Sequence, residues 1–447
     1  MKSPRTLRTA AAAALVIALT AAAPAVAQSP APLQDRPPTR AAALHDASPS
    51  AGSALQGAPA GAAPQDVRAS TGTASQGVRA SIGAASQDAR ASAGVVLPRP
   101  TGAHPVGRDT LHLVDRSRAD LWVPERRREL MVDLYYPART TAGAPAPYAD
   151  PREARLLLEG VPDSDPGALA KLTATRTHSV AGARPQRGKH PLVVLSPGFG
   201  GPRYTLTTVA EDLASRGYVV AVVDHAHESL GTVFPGGRVL TCVACEKAET
   251  LEDMRKATVQ RGQDLAFVLD RLTGPRPAWR HAAVIDRKRI GASGHSLGGA
   301  AAASAMARDP RVRAGINMDG SFGDPVPADG LDGRPFLMLG THTDMHLPGG
   351  LDHTWDTAWR NLDGWKRWLT VEGTDHLTFS DVPVLFDQLG IPYDAETQPT
   401  IRPERAVQLV RAYTAAFFDL HLRGVPQPIL EGPAAADPEV HFNDPVG

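Results

Sequence analysis

The stretch "GASGHSLGGAAAASAM", Gly291 to Met306, decides how the chain is read. Within it, Gly294-His295-Ser296-Leu297-Gly298 has the form G-x-S-x-G. That pattern alone is common and weak. Its surroundings give it weight: "KRIGASG" (288–294) has the composition of a buried strand, and "GGAAAASAMA" (298–307) that of a helix. A sharp strand-to-helix turn there lifts a serine hydroxyl above a sheet, and Gly294 and Gly298 leave room for the backbones that meet at the corner. Ser296 is therefore the predicted nucleophile. The bland reading of the same residues is a glycine-rich corner with no chemistry.

Working outward, strands and helices alternate. "HPLVVLSP" (190–197) and "YVVAVVDH" (218–225) are short apolar runs of the buried kind. "YTLTTVAEDLASRG" (204–217), a segment around 253–272 and "ERAVQLVRAYTAAFFDLHL" (404–422) have helical spacing. "VRAGINMD" (312–319), "RPFLMLGT" (334–341) and "RWLTVEG" (367–373) are further strands. This rhythm predicts an α/β fold: a mainly parallel sheet with helices on both faces. "DTLHLVD" (109–115) and "RELMVDLYYP" (128–137) alternate and are predicted to form an antiparallel edge, with a mixed, partly helical excursion over 151–187.

A nucleophilic serine needs a base, and the base an orienting acid. In α/β-hydrolases the chain order is Ser, acid, His. His376, in "EGTDHLTFSD", follows a late strand in a loop and fits the base. His295 lies inside the elbow and is expected to bond locally. His225 and His227 are expected to be structural or solvated. Two carboxylates compete for the acid: Asp319 ends one strand and Asp344 follows the next. Topology does not choose between them. Asp375 adjoins His376 too closely in sequence to orient it. The oxyanion needs two preorganised N–H donors. Leu297, at the helix start, and Phe199, in the glycine loop "GFGG" (198–201), are the candidates. His342, Asp344 and His346 alternate like metal ligands, but three residues of one extended loop are thin support for a metal site. Trp355, Trp359, Trp365 and Trp368 are expected in the core or a pocket wall.

The chain has 447 residues, with 47 Lys plus Arg against 47 Asp plus Glu. No basic stripe stands out, which argues against nucleic acid as a partner. Lys2, Arg5 and Arg8, an alanine-rich apolar run and Ala25-Val26-Ala27 make residues 1–27 read as a secretory leader. Residues 28–97 contain no Phe, Trp or Tyr and carry an imperfect eleven-residue repeat ("QDVRASTGTAS", "QGVRASIGAAS", "QDARASAGVVL"). They are expected to be a disordered linker, because they offer too little apolar area to offset ordering entropy. The hydrolase domain is then 98–447. The two cysteines, Cys242 and Cys245, are open to a local disulfide or two free thiols.

From about Leu97 onward the chain resembles secreted bacterial α/β-hydrolases related to the platelet-activating factor acetylhydrolases. The resemblance rests on "VGRDTLHLVDRSR", "ELMVDLYYPA", "PLVVLSPGFGG", "LASRGYVVAVVDH", "GHSLGGAAA", "GINMDGSF", "GWKRWLTVEGTDHLTFSD" and "AAFFDLHLRG". It implies Asp319 as the acid, completing a triad with Ser296 and His376, and Phe199 as the second oxyanion donor. It also implies a secreted serine esterase with no cofactor, a small-molecule or lipid ester as substrate, and transient contact with a lipid surface when the substrate is lipid. Pro197 stands where a His commonly precedes the oxyanion glycine, and Leu297 replaces Phe after the serine. These departures leave the chemistry intact but weaken the case for platelet-activating factor itself. Lipases and cutinase-like polyesterases share the fold and elbow and form the alternative. The rival of another class is a non-catalytic hydrolase-fold binding module.

Overall fold

The computed structural model describes residues 94–159, 161, 165–393 and 398–445. The leader and nearly all of the repeat segment lie outside them.

The strands are β1 (Val106–Ala119), β2 (Arg127–Pro137), β3 (Pro145–Pro147), β4 (Arg176–Ala181), β5 (His190–Ser196), β6 (Val219–His225), β7 (Gly231–Val233), β8 (Val239–Thr241), β9 (Ile285–His295), β10 (Val312–Met318), β11 (Phe336–Thr341), β12 (Lys366–Val371) and β13 (Val440–Phe442). The helices are α1 (Pro151–Glu159), α2 (Ala168–Ala174), α3 (Thr207–Ser215), α4 (Ala244–Lys247), α5 (Leu251–Thr273), α6 (Leu297–Arg308), α7 (His353–Asn361), α8 (Val382–Leu389) and α9 (Pro403–Arg423). Eleven strands form one sheet in the order β13-β12-β11-β10-β9-β5-β6-β2-β1-β4-β3, and β7 and β8 form a separate hairpin. From β12 through β6 every pairing is parallel. This is the mainly parallel, doubly covered α/β sheet that the alternation predicted.

β5 and β6, at the centre of the sheet, are buried over nearly their whole length because both faces are covered. Leu192, Val194, Val219, Ala221 and Val223 point to one side, where α5 and α6 pack with Trp279, Trp355 and Trp368. Val193, Leu195, Val220 and Val222 point to the other, against α3 and α9. Local chemistry sets the helix boundaries. α5 opens with a reciprocal cap in which the Thr250 hydroxyl takes the Asp253 amide and the Asp253 carboxylate takes the Thr250 amide. α9 opens with Pro403 in its first turn.

The sheet extends further than expected at both ends. β1 and β2 are antiparallel but do not form the edge: β2 pairs β6, and β4 then β3 continue beyond β1. β4, "RTHSVA", hides inside the excursion because it is short and has little apolar alternation. The true edge, β3, carries Pro145 and Pro147, residues that blunt further pairing. At the other end β13 adds antiparallel to β12 after the closing helix.

Candidate active site

β9 runs straight into α6, and Ser296 sits between them with φ 56° and ψ −126°. This left-handed conformation is costly for a residue with a side chain and survives only where neighbours enforce it. The close approach of β5 does so. A Cβ on Gly298 would lie 1.9 Å from the Ser196 carbonyl oxygen. The Ser296 amide donates to the Met318 carbonyl at 2.7 Å, which ties the elbow to β10.

Asp319 follows β10 and also has positive φ, 59°. Two of the four non-glycine residues with positive φ among the described residues are thus the predicted nucleophile and the predicted acid. His376 follows β12. Its Nε2 is 2.9 Å from Ser296 Oγ, and its Nδ1 is 2.6 Å from Asp319 Oδ2. With Nδ1–H donating to the carboxylate, Nε2 is left to accept the serine proton. Asp319 is buried while the His376 side chain is 28% exposed, so the chain opens outward from acid to base. Burial disfavours the Asp319 charge, but the His346 cation and the bond from His376 outweigh it and hold the carboxyl well below its usual range.

The other candidates separate cleanly. Asp344 is exposed on the loop after β11, whereas Asp319 is on the imidazole. Asp375 turns away to accept the Thr378 hydroxyl. His295 bonds locally, as expected: its Nε2 is 2.7 Å from the His376 carbonyl oxygen, and its ring lies 4.7 Å from the His376 ring. Burial, reinforced by His376, pushes its pKa down to about 3, so it is neutral and its Nε2–H fixes the backbone of the base. His225 and His227 are both buried. His342 goes to Thr370 and His346 to Asp319, so the alternating trio does not converge. Among the described residues no group of three or more His, Cys, Asp or Glu side chains is arranged to hold a metal. The tryptophans are core: Trp355, Trp359 and Trp368 are buried, and Trp365 packs beside Phe417.

The glycine loop after β5 lies against the elbow. The Cβ direction of Gly198 points to within 3.3 Å of Ser296 Cβ. Among the described residues neither the Phe199 amide nor the Leu297 amide donates to a protein acceptor. Phe199 and Leu297 share an apolar cluster with Trp122, Val243, Met254 and both cysteines. Cys242 and Cys245 are disulfide-bonded, which resolves the two alternatives left by the sequence. The bridge therefore belongs to the wall beside the predicted oxyanion donors.

Sequence reasoning missed a buried set directly beneath this loop. Ser196 Oγ is 2.9 Å from His225 Nε2, and His225 Nδ1 is 2.7 Å from Asp264 Oδ2. Asp264 also binds Arg128 and Arg118, and Arg128 binds Asp120 and Glu228. Glu228 in turn holds Arg261, whose guanidinium donates to the Pro197 carbonyl at 2.5 Å. "VVDHAHES" hinted at the histidine. Nothing local marks Asp264, one acid in a long amphipathic helix.

Fold and geometry define the class: an α/β-hydrolase with a Ser–His–Asp hydrogen-bonded chain at an elbow. The family model for platelet-activating factor acetylhydrolase, isoform II, matches residues 89–235 and 279–425, and the chain belongs to that family. A "Probable 1-alkyl-2-acetylglycerophosphocholine esterase" of Arthroderma benhamiae is 30% identical over 382 residues, 78% of this chain and 94% of the relative. The platelet-activating factor acetylhydrolase of Gallus gallus is 24% identical, across 52% of this chain and 62% of its own length. Among solved structures, a ferulic acid esterase from Streptomyces cinnamoneus superposes with a TM-score of 0.70 at 45% identity, covering 78% of this chain and 99% of that one. The protein is a carboxylic ester hydrolase.

Proposed function

We propose that the protein is a secreted serine esterase working through an acyl-enzyme. Ser296 Oγ attacks the ester carbonyl as His376 Nε2 takes its proton. Asp319 keeps the imidazole in the right tautomer and stabilises the imidazolium. The Phe199 and Leu297 amides receive the oxyanion, His376 returns the proton to the leaving alcohol, and water repeats the cycle to free the acid. The observation that carries this reading is the unbroken chain from Ser296 Oγ through His376 to Asp319, at 2.9 and 2.6 Å. The leader is read as an export signal and the segment after it as a spacer, which ends a few residues before 98 because Val95 and Leu97 are already buried against the catalytic domain.

For substrate we propose short-acyl esters, with phospholipid acetyl esters included. The apolar wall of Trp122, Phe199, Val243, Met254 and Leu297 favours an apolar acyl or alkyl group beside the oxyanion site. A second reading, esters of aromatic acids including polyester units, draws on the 45%-identical ferulic acid esterase and on a bis(hydroxyethyl) terephthalate hydrolase of Streptomyces coelicolor, 27% identical over 179 residues. A panel of p-nitrophenyl esters, a short-chain 2-acetyl phospholipid, methyl ferulate and a polyester film separates the two. The first reading expects the highest kcat/KM on acetyl and butyryl esters. A preference for ferulate or the film transfers the assignment to the second.

A further inference from the structure

Asp319 has a second histidine. His346 is buried in the loop after β11, with Nδ1 2.8 Å from Asp319 Oδ1 and 3.2 Å from Thr341 Oγ1. The Thr341 amide donates to the same carboxylate oxygen at 2.7 Å. On its far side, His346 Nε2 faces Asp352 Oδ2 at 3.6 Å, an ion-pair distance beyond hydrogen-bond range. The ring stacks on Trp355, centroids 4.3 Å apart and planes 30° from parallel. The Trp368 indole holds the His346 carbonyl at 2.8 Å, and the Trp355 indole holds the Gly320 carbonyl, next to Asp319. Gly340 on β11 makes this fit possible: a Cβ there would stand 2.7 Å from Trp355 and 3.1 Å from Asp319 Oδ1.

The ring thus lies between two carboxylates. Burial opposes its charge, but Asp319 and then Asp352 overcome this and raise its pKa to about 9. The groups facing it are Asp319 from the end of β10, Asp352 from the start of α7, and neutral Thr341, Trp355 and Trp368 from β11, α7 and β12. His376 holds the other oxygen of the shared Asp319 carboxylate.

We propose that His346 is a positioning residue for ester hydrolysis: it locks Asp319 so that the other carboxylate oxygen stays on His376. This rests on the reading of Ser296, His376 and Asp319 as the triad. The locking follows from sharing: Oδ1 is committed to Thr341 and His346, so the carboxylate cannot rotate without breaking both contacts.

His346→Asn tests this, because it keeps a donor near the Nδ1 position and removes the charge. In the parent, kcat should decline as pH rises through about 9, where His346 loses its charge and its grip on Asp319 weakens, and His346→Asn should lack that decline. The plateau kcat should fall by about tenfold or less with KM nearly unchanged. NMR titration of the ring signals in the unaltered protein covers the case of a variant that does not fold: His346 should remain protonated through pH 8. A lowered kcat with the decline near pH 9 intact in His346→Asn would reduce His346 to a structural residue and overturn the proposal, as would a neutral His346 ring at pH 7. Ser296→Ala is measured alongside. Parental turnover in that variant would sink the triad reading, and the proposal with it, while the ring titration still reports on His346 by itself.

Discussion

Two Ser–His–Asp chains lie side by side in this molecule. Ser296–His376–Asp319 sits on the carboxyl ends of β9, β10 and β12, and Ser196–His225–Asp264 lies just beneath, at the ends of β5 and β6. Their serine–histidine distances are the same, 2.9 Å, and their histidine–aspartate distances are 2.6 and 2.7 Å. Nothing in that pairwise geometry tells them apart. Their settings do. Ser296 stands in a strained elbow at a helix start, beside the Phe199 and Leu297 amides, and its histidine is partly exposed. Ser196 ends an ordinary strand with no exposed surface, and Asp264 is shared with two arginines. Hydrogen-bonded order is common to both; access, strain and waiting donors belong to one. The buried chain has a different task. Through Glu228 and Arg261 it anchors the carbonyls of Pro197 and Gly198, the loop whose next amide is the proposed oxyanion donor.

The sharpest way to break this contrast is to neutralise each aspartate. Asp319→Asn should stay folded and lose kcat by about 10⁴-fold, as when a triad acid no longer fixes the tautomer. Asp344→Asn, on the exposed loop, should stay within about tenfold of the parent. Activity measured with one p-nitrophenyl ester decides it. The reverse pattern would move the acid to the later loop.

Asp264→Asn should act on stability instead. It leaves Arg128 buried without its full complement of charge, which costs about 3–5 kcal/mol where a buried pair is broken. Urea unfolding reads that loss. The variant should retain its melting cooperativity, and whatever activity it loses should track the oxyanion loop. A stable Asp264→Asn protein with activity lowered as far as by Asp319→Asn would make the two chains functional equals and end the distinction.

A smaller effect separates the histidines by pH. His225 has its pKa pushed down to about 4, by burial first and Arg261 second. Its unfolded form, near 6.5, takes a proton that the folded form refuses, so its contribution to stability weakens as pH falls from about 6.5 to about 4. His346 is raised to about 9, so its contribution is full below about 6.5 and is lost as pH rises through about 9. Melting temperature against pH should therefore fall on both sides of a maximum near neutrality. His346→Asn should flatten the alkaline side alone.

How much of this was legible in the sequence follows from the range of each interaction. The parallel core announced itself because β5 and β6 carry unbroken apolar runs and the strands alternate with segments of helical spacing. The elbow was legible because strand, turn glycines and helix are contiguous. The choice of Asp319 over Asp344 was legible only through the family resemblance, since both follow strands and no local spacing says which of them meets His376, 57 residues beyond Asp319. His346 looked like one of an alternating trio because spacing says nothing about which way a loop turns its rings. β3 and β4 escaped because both are short: β3 begins and ends in proline, and β4 is largely polar. The Asp264 network was invisible for the same reason as the acid: its partners come from β1, β2, β5, β6 and a helix more than 100 residues after the first of them.

The central claim is that one of two geometrically matched serines is the nucleophile. Treatment of the folded protein with a fluorophosphonate, followed by peptide mass spectrometry, tests it directly. The account predicts a single stoichiometric adduct on Ser296, none on Ser196, loss of esterase activity in step with labelling, and no labelling in Ser296→Ala. An adduct on Ser196, or a protein that stays fully active with Ser296 modified, would contradict it.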